Sequence, residues 1–167
     1  MVKAGKDMKL VQDRKNRQAD TYDPVGNITQ RAIDNGQLAT QYSFDKMNRM
    51  DRIIYPNTST VAFAYDPNRN LLSVSSALSV VTFSYDSMNR LSSITQSVQS
   101  VSSVVTYSYD LNGNRVGITY PGNLTVSNAY DAANRLTSVT DWNTNTTTYS
   151  YNAVHSPTNV DYPNNVN

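Results

Sequence analysis

The sequence is 167 residues long, carries a formal net charge of +1 and contains no cysteine. The near-neutral balance excludes a molecule-wide field that would favour nucleic acid or an anionic membrane as a partner. The lack of cysteine excludes disulfides and thiolate metal sites. No run approaches the roughly 18 apolar residues of a membrane span, and residues 1–8 lack the apolar segment of a Sec-type signal peptide. The thirteen acidic residues are all aspartate, and the abundance of Ser, Thr, Asn and Tyr favours strands and turns over helices.

The first segment, residues 1–20, is predicted to be a basic lead-in or a degenerate repeat ahead of an array that occupies residues 21–167. Four lysines fall in its first fifteen positions, and such a charge run is typically solvated rather than a binding arm. Residues 13–17 (Asp-Arg-Lys-Asn-Arg) match the second half of a phrase that recurs further along. This match indicates a truncated repeat, with a short polar helix as the alternative.

From Tyr22 onward one phrase recurs along the chain: an aromatic residue, an aspartate, two variable residues, then Asn-Arg or Gly-Asn, and usually an aliphatic residue. Successive copies begin 20 to 24 residues apart, and a fixed period in this range indicates a repeat architecture. A decayed copy begins at Tyr151, where Asn152 replaces the aspartate. The structural repeat residues are the aromatic–aspartate pairs Tyr22 and Asp23, Phe44 and Asp45, Tyr65 and Asp66, Tyr85 and Asp86, Tyr109 and Asp110, and Tyr130 and Asp131, with the Asn-Arg pairs Asn48 and Arg49, Asn89 and Arg90, and Asn134 and Arg135.

Each copy of the phrase is predicted to join two strands. The run before the aspartate alternates with period two, as in Val81, Phe83 and Tyr85, which is typical of a half-buried strand with an aromatic face and a small polar face. In the run after the phrase the apolar residues lie three apart, as in Met50 and Ile53. That spacing breaks strict alternation, so we expect a β-bulge or twist early in this second strand.

Two further features punctuate the array. Turns of the form Tyr-Pro-Asn or Tyr-Pro-Gly begin at Tyr55, Tyr120 and Tyr162, where Pro fixes φ and Asn or Gly tolerates the left-handed region. The longest and most Ser-rich spacer, residues 92–103, is predicted to be a lengthened hairpin tip. The sequence thus predicts an all-β fold of about seven antiparallel β-hairpins, each about 21 residues long, in a continuous curling sheet.

For the residues that could carry a catalytic or binding function, the sequence favours a structural role over a chemical one. The phrase aspartates could bind Ca²⁺ or act as acids and bases, but one aspartate per hairpin lacks the clustered oxygens of a calcium loop. We expect each to accept backbone N–H bonds in its turn, and each phrase arginine to pack on an aromatic ring or pair with an aspartate. His155 has no catalytic or metal-binding neighbours in sequence. Trp142, in a predicted turn, is a possible ligand or partner contact.

The phrase Tyr-Asp-x-x-Gly-Asn-Ile of residues 22–28, alternating with Tyr-Asp-x-x-Asn-Arg-Leu and with Tyr-Pro-Asn turns between, resembles the YD repeat of the Rhs family. Teneurins and the cocoon subunits of insecticidal toxin complexes share this repeat. The resemblance covers about residues 22–162. It implies a β-sheet that spirals into a hollow shell, commonly around a toxin domain, and a role as a container or extracellular adhesion scaffold.

The sequence therefore predicts a non-enzymatic extracellular or cell-surface scaffold without metal or cofactor, either part of a β-shell or a self-associating filament or tube. A repeated sheet leaves open edges and an exposed aromatic face unless it closes or pairs, and the array stops in mid-unit at Tyr162. The expected partners are other copies of the chain or the rest of a longer YD-repeat chain. The alternatives are a carbohydrate-binding adhesin module, which would recognise glycans through its Tyr, Asn and Arg rows, and a fragment of a toxin-encapsulating shell.

Overall fold

A computed structural model describes residues 11–13, 18–33 and 38–163, of which residues 11–13 are described by backbone alone. These residues form fifteen strands, and each strand is hydrogen-bonded in a single sheet to the strands before and after it in sequence. The predicted all-β hairpin fold is confirmed. The strands are β1 Val11–Asp13, β2 Gln18–Tyr22, β3 Ile28–Ile33, β4 Leu38–Phe44, β5 Met50–Ile54, β6 Thr60–Tyr65, β7 Leu71–Ser76, β8 Ser79–Tyr85, β9 Leu91–Val98, β10 Val101–Tyr109, β11 Arg115–Tyr120, β12 Leu124–Tyr130, β13 Leu136–Thr140, β14 Thr146–Tyr151 and β15 Pro157–Asp161.

The chain divides into two compact units, Met1–Val81 and Thr82–Asn167. In the first unit β1 pairs antiparallel with β2, so the described parts of the lead-in are strands rather than the alternative helix. The pairing continues antiparallel from β2 to β7. In the second unit it runs antiparallel from β9 to β15. The described residues include no helix long and apolar enough to cross a membrane.

A β-bulge follows the phrase in every hairpin for which the register is known, as the spacing of three predicts. Phe44 lies opposite Met50 while Ser43 lies opposite Arg52, so Asp51 is the additional residue. The bulge returns Ile53 to the face of Met50, opposite Tyr42, because one extra residue shifts the alternation by one position. The same shift occurs in the hairpins β2–β3, β6–β7, β10–β11, β12–β13 and β14–β15.

The phrase turns share one geometry, which explains why both Gly-Asn and Asn-Arg occur in them. In residues 45–49 the Asp45 N–H donates to the Arg49 carbonyl at 2.8 Å, and the Asn48 N–H donates to the Asp45 carbonyl at 3.0 Å. Asn48, the fourth residue of the turn, has a φ of 63°. Gly26 occupies the equivalent position with a φ of 95°. The left-handed region tolerates Gly and Asn better than other residues, so either of them can close this three-residue hairpin loop.

The two faces of the sheet differ in chemistry, but neither encloses an apolar core. The aromatic residues of the alternating strands are half-buried, and no hydrophobic side chain among the described residues is buried. The opposite face carries small side chains, such as Ser108, Gly117 and Ser127, which lie opposite one another in β10, β11 and β12. Stability therefore comes mainly from the strand ladder, the cross-strand pairs and the turns rather than from a core.

The hairpin β9–β10 is the longest described. Its strands have eight and nine residues, and residues 101–106 of β10 pair with β9 across a two-residue turn. The predicted lengthened hairpin at residues 92–103 is confirmed.

Candidate functional site: the row of aspartate turns

Each phrase aspartate is the hydrogen-bond centre of its own turn. In residues 86–90, Asp86 Oδ1 accepts the backbone N–H groups of Met88 and Arg90, each at 2.9 Å. Its Oδ2 accepts Arg90 Nε at 2.7 Å. In the Gly-Asn turns an asparagine side chain replaces the arginine: Asn114 Nδ2 donates to Asp110 Oδ2 at 2.9 Å. Both carboxylate oxygens are thus occupied within the turn in the two subtypes.

These hydrogen bonds hold the pKa values of the turn aspartates below the ordinary range, because they favour the ionised form. The largest cause is the Arg49 side chain for Asp45, the Arg90 backbone N–H for Asp86 and the Asn114 side chain for Asp110. At Asp23 and Asp66, partial desolvation raises the pKa, yet the combined hydrogen bonds outweigh it and the pKa is still lowered. The pKa values of Asp131 and Asp141 are lowered by the equivalent contacts. A carboxyl group held ionised in this way is a poor general acid at neutral pH.

The phrase arginines join one turn to the next. The Arg49 guanidinium places Nε and Nη2 at 2.8 and 2.7 Å from Asp45 Oδ2. Its Nη1 donates to the backbone carbonyl of Asp66 in the following phrase turn at 3.0 Å. Its centre lies 4.5 Å from the centroid of the Tyr65 ring, and the Tyr65 hydroxyl donates to the Met50 carbonyl at 3.0 Å. The planar five-donor guanidinium suits such a combined pairing and stacking role.

The same contacts recur in the second unit. Arg90 and Arg135 pair with the aspartates of their own turns and lie over the next aromatic ring, at 4.5 and 4.9 Å from its centroid. The residues that they reach in the following turn are Tyr109 and the Asp110 carbonyl for Arg90, and Tyr151 and the Asn152 carbonyl for Arg135.

The asparagines of the Gly-Asn turns make the complementary link. Asn27 Nδ2 donates to Asn48 Oδ1 in the next phrase turn, and Asn114 Nδ2 donates to Asn134 Oδ1 at 2.8 Å. Within each unit, neighbouring phrase turns are therefore tied side by side, by an arginine or by an asparagine. We call the linked turns of each unit the turn row.

The remaining repeat residues lie at fixed places in the turn row. The aromatic residues Tyr22, Phe44, Tyr65, Tyr85, Tyr109 and Tyr130 end the strand before each turn and are half-buried. Asn48, Asn89 and Asn134 occupy the fourth turn position, with φ values of 63°, 65° and 59°. Tyr109 and Tyr130 donate through their hydroxyls to the carbonyls of Leu91 and Arg115.

Two structural features were missed by the sequence analysis. Asp20 is 8% exposed and is held by Arg31, whose Nε and Nη2 donate to its two carboxylate oxygens at 3.1 Å each. The Arg31 hydrogen bonds are the main cause of the lowered pKa of Asp20. The turn at residues 141–143 was predicted, but its phrase-like hydrogen bonding was missed: Asn145 Nδ2 donates to Asp141 Oδ2 at 3.0 Å, although no aromatic residue precedes this aspartate.

Trp142 lies in the turn between β13 and β14 and is 49% exposed. Its ring meets the Tyr120 ring edge to face, with centroids 6.3 Å apart and an interplanar angle of 79°. His155 is exposed in the turn before β15 and has a φ of 63°. Among the described residues no group of three or more His, Asp or Glu could hold a metal ion.

The sheet of linked hairpins and the turn row define a β-hairpin repeat protein of the YD type. The sequence model of the Teneurin YD-shell matches residues 75–167, more than half of the chain. The chain belongs to the teneurin YD-shell family, and the predicted YD-repeat resemblance is confirmed. A search of curated proteins finds no match.

Solved structures of toxin complexes share the fold. The chain is similar to the crystal structure of TcdB2-TccC3-TEV, with 14% identity, a TM-score of 0.71 and coverage of 87% of this chain and 9% of that one. It is also similar to the Photorhabdus luminescens Tc holotoxin pore with a mutant TccC3, at 15% identity, a TM-score of 0.71 and the same coverage. A third match is TcdB2-TccC3 without its hypervariable C-terminal region, at 13% identity and a TM-score of 0.64, covering 87% of this chain and 10% of that one. The chain spans about a tenth of the length of these structures, and at such identities the likeness concerns the fold.

Proposed function

We propose that this chain is a non-enzymatic scaffold segment of an extracellular YD shell, and that it works together with further YD-repeat strands. These strands belong either to the rest of a longer chain or to other copies of this one. The observation that carries the proposal is the turn row, in which Arg49, Arg90 and Arg135 each tie their own turn to the following one. Such links stabilise a repeating wall, and the hydrogen bonds within each turn engage both oxygens of its carboxylate.

The aromatic face supports the same conclusion. Its rings are half-buried and no apolar side chain in the described residues is buried. A contiguous exposed apolar face on a soluble protein is typically an interaction surface. In a closed shell, the curvature of the wall and the enclosed contents would cover this aromatic face.

Fractionation of the source cells with an antibody against this chain tests the proposal. We expect the protein outside the cytoplasm and in particles much larger than its own 18.6 kDa, with a cytosolic enzyme as the control for lysis. A cytoplasmic monomer would contradict both the location and the scaffold role. Purified particles viewed by electron microscopy should show hollow shells or tubes.

A second candidate function is carbohydrate binding at Trp142 and Tyr120. Exposed aromatic rings stack on sugar faces, and Trp142 and Tyr120, which meet edge to face, are 49% and 39% exposed. Glycan-array binding that is lost in Trp142→Ala would support it. The matched control is Tyr55→Ala, because Tyr55 is 40% exposed beside a turn of the same geometry in the other unit. A blank array, or equal loss in both variants, would exclude glycan recognition at this pair.

A further inference from the structure

Four asparagines begin the tripeptide Asn-x-Ser/Thr with a residue other than proline in the middle, which is the acceptor pattern for N-linked glycans. They are Asn27, Asn57, Asn123 and Asn145. In a chain rich in Asn, Ser and Thr the pattern alone does not identify a site, because chance matches are expected. The local structure, however, distinguishes the four tripeptides from one another.

The tripeptide of residues 57–59 lies entirely within a turn. Asn57, Thr58 and Ser59 are all exposed in the turn between β5 and β6. In each of the other three tripeptides the last two residues belong to a strand, namely residues 28–29 to β3, 124–125 to β12 and 146–147 to β14. A modifying enzyme has to bind the tripeptide as a separate segment, so these three would first have to leave the sheet by local unfolding.

The side chain of Asn57 presents its nitrogen to solvent. Its Oδ1 accepts the Ser59 backbone N–H at 3.1 Å and the Ser59 hydroxyl at 2.6 Å. Because a backbone N–H only donates, it is the oxygen of the carboxamide that faces Ser59. The Nδ2 group is therefore directed away from Ser59, and it has no hydrogen-bond partner within the part of the chain that the structure describes.

The polar groups of the other three tripeptides are already engaged. Asn27 Nδ2 donates to the aspartate of its own turn at 2.8 Å and also to an asparagine of the next phrase turn. Asn145 Nδ2 donates to the aspartate of its turn at 3.0 Å. In the tripeptide that begins at Asn123, the hydroxyl of the third residue, Thr125, lies 3.1 Å from the hydroxyl of Thr119 on the neighbouring strand.

We propose that Asn57 is an acceptor site for an N-linked glycan. The donor is a lipid-linked oligosaccharide diphosphate, used by an oligosaccharyltransferase. Asn57 Nδ2 forms a bond to the anomeric carbon of the first sugar, and the bond from that carbon to the diphosphate breaks. The lipid diphosphate leaves with the electron pair, and one amide proton passes to a base of the transferase. Oδ1 is not changed by the transfer, so the two hydrogen bonds from Ser59 persist.

This inference goes beyond the scaffold function but rests on its extracellular location, because N-linked glycans belong to secreted proteins. Residues 55–59 join the ends of β5 and β6 that lie opposite the phrase turns. A glycan is bulky and solubilising. A chain modified at Asn57 therefore has this rim of its first unit in solvent rather than packed against another YD-repeat strand.

Glycosylation of the purified folded chain tests the site. The Ser59→Thr variant provides a matched comparison, because it makes the tripeptides at Asn57 and Asn145 identical in sequence, Asn-Thr-Thr. The variant is incubated with a single-subunit oligosaccharyltransferase and its lipid-linked oligosaccharide, and glycopeptides are quantified by mass spectrometry. We expect modification of Asn57 to be faster than that of Asn145 by about tenfold or more, since only Asn145 requires a strand to open.

Synthetic peptides around the two asparagines are the unfolded control and should react at similar rates. Equal rates at the two sites of the folded variant would overturn the proposal, and so would an unreactive Asn57 in either the chain or its peptide. Ser59→Ala should abolish the modification without changing the melting temperature, because Ser59 is exposed and its hydroxyl contacts only Asn57 among the described residues.

The protein from its source cells provides an independent test. Digestion with a peptide N-glycosidase converts a glycosylated asparagine to aspartate, and we expect this conversion at residue 57 and at none of the other three asparagines. Large extracellular particles in the fractionation, together with an unmodified Asn57, would refute this site and leave the scaffold function standing. A cytoplasmic monomer would refute the scaffold function itself.

Discussion

In its turn each phrase aspartate is surrounded only by hydrogen-bond donors, so its side chain acts purely as an acceptor. At Asp86 these donors are the N–H groups of Met88 and Arg90 and the Arg90 side chain. An ionised carboxylate is an acceptor only, whereas an amide of the same shape presents an NH₂ group on one side. The turn therefore distinguishes Asp from Asn by charge and by hydrogen-bonding capacity rather than by size.

Asp86→Asn should lower the melting temperature by about 2–4 °C, the shift typical of one lost favourable contact in a chain of this length. The amide would set its NH₂ group against the Arg90 Nε donor or against the two backbone N–H donors. Circular dichroism melting curves measure the change. Asp161→Asn is the control, since Asp161 is exposed in β15 and outside the turn row. Equal melting temperatures for the two variants would show that the turn carboxylate is not needed.

The lowered pKa values predict that acid destabilises the protein. Eight aspartates have a folded-state pKa below the ordinary value, which is about 3.9 in an unfolded chain. As the pH falls through this range the unfolded chain binds more protons than the folded one, so stability present at higher pH is lost. We expect a level melting temperature from about pH 7 to pH 5 and a continuous fall below about pH 4.

Melting curves at closely spaced pH values test this acid dependence. Between about pH 5 and pH 3 the melting temperature of the Asp86→Asn variant should fall by less than that of the native chain, because one of the titrating groups has been removed. A melting temperature that stays level down to about pH 3 would contradict the proposed contribution of the ionised turns.

In some turns the residue at the fourth position is of a type that is unfavourable in the left-handed conformation that the backbone adopts there. Thr144 has a φ of 67° and closes the turn by donating its N–H to the Asp141 carbonyl at 3.0 Å. A β-branched residue is unfavourable in the left-handed region by about 1–2 kcal/mol. Five phrase turns place Gly or Asn there, whereas Arg69 and His155 occupy it in two others and Thr58 in the turn at Tyr55. Because Thr is β-branched, Thr144 is a position of stored strain.

Thr144→Gly should therefore stabilise the protein by roughly 0.5–1 kcal/mol, because relief of the strain exceeds the backbone entropy that glycine adds to the unfolded chain. Urea unfolding measures the change. Thr146→Gly is the matched control: Thr146 lies in β14 and its hydroxyl is 2.9 Å from that of Thr140, so this variant should be less stable than the native chain. A loss of stability in both variants would show that Thr144 is not strained.

The elements were predictable because their signals are local. The spacing of Met50 and Ile53 indicated a bulge, and the structure places the extra residue at Asp51. The links between turns were not predictable in the same way. The contact from Arg49 to the Asp66 carbonyl spans 17 residues, and it depends on how closely neighbouring hairpins stack. Likewise Asp20 meets Arg31 through the register of β2 on β3, which no local spacing reveals.

Across the whole chain, the unusual property is how much surface remains exposed. The folded chain has an accessible surface of 12295 Å², whereas a compact protein of this mass has about 8,200 Å². The difference is consistent with the finding that no hydrophobic side chain in the described residues is buried. The stability of such a repeat sheet depends on interactions between neighbouring strands. Burial of its exposed surface against a partner should therefore have a large effect on its stability.

The heat capacity change of unfolding should consequently be small. It grows with the surface that unfolding exposes, and this chain buries only about four-fifths of the surface that a compact chain of equal mass buries. We expect about 1.8 kcal/mol/K, compared with about 2.3 kcal/mol/K for an ordinary domain of this length. Calorimetry of dilute protein measures it, with a compact domain of similar length as the control. A value at or above that of the control, unchanged on further dilution, would mean that the aromatic face is covered within a single copy. A value that rises with concentration would mean that other copies cover it.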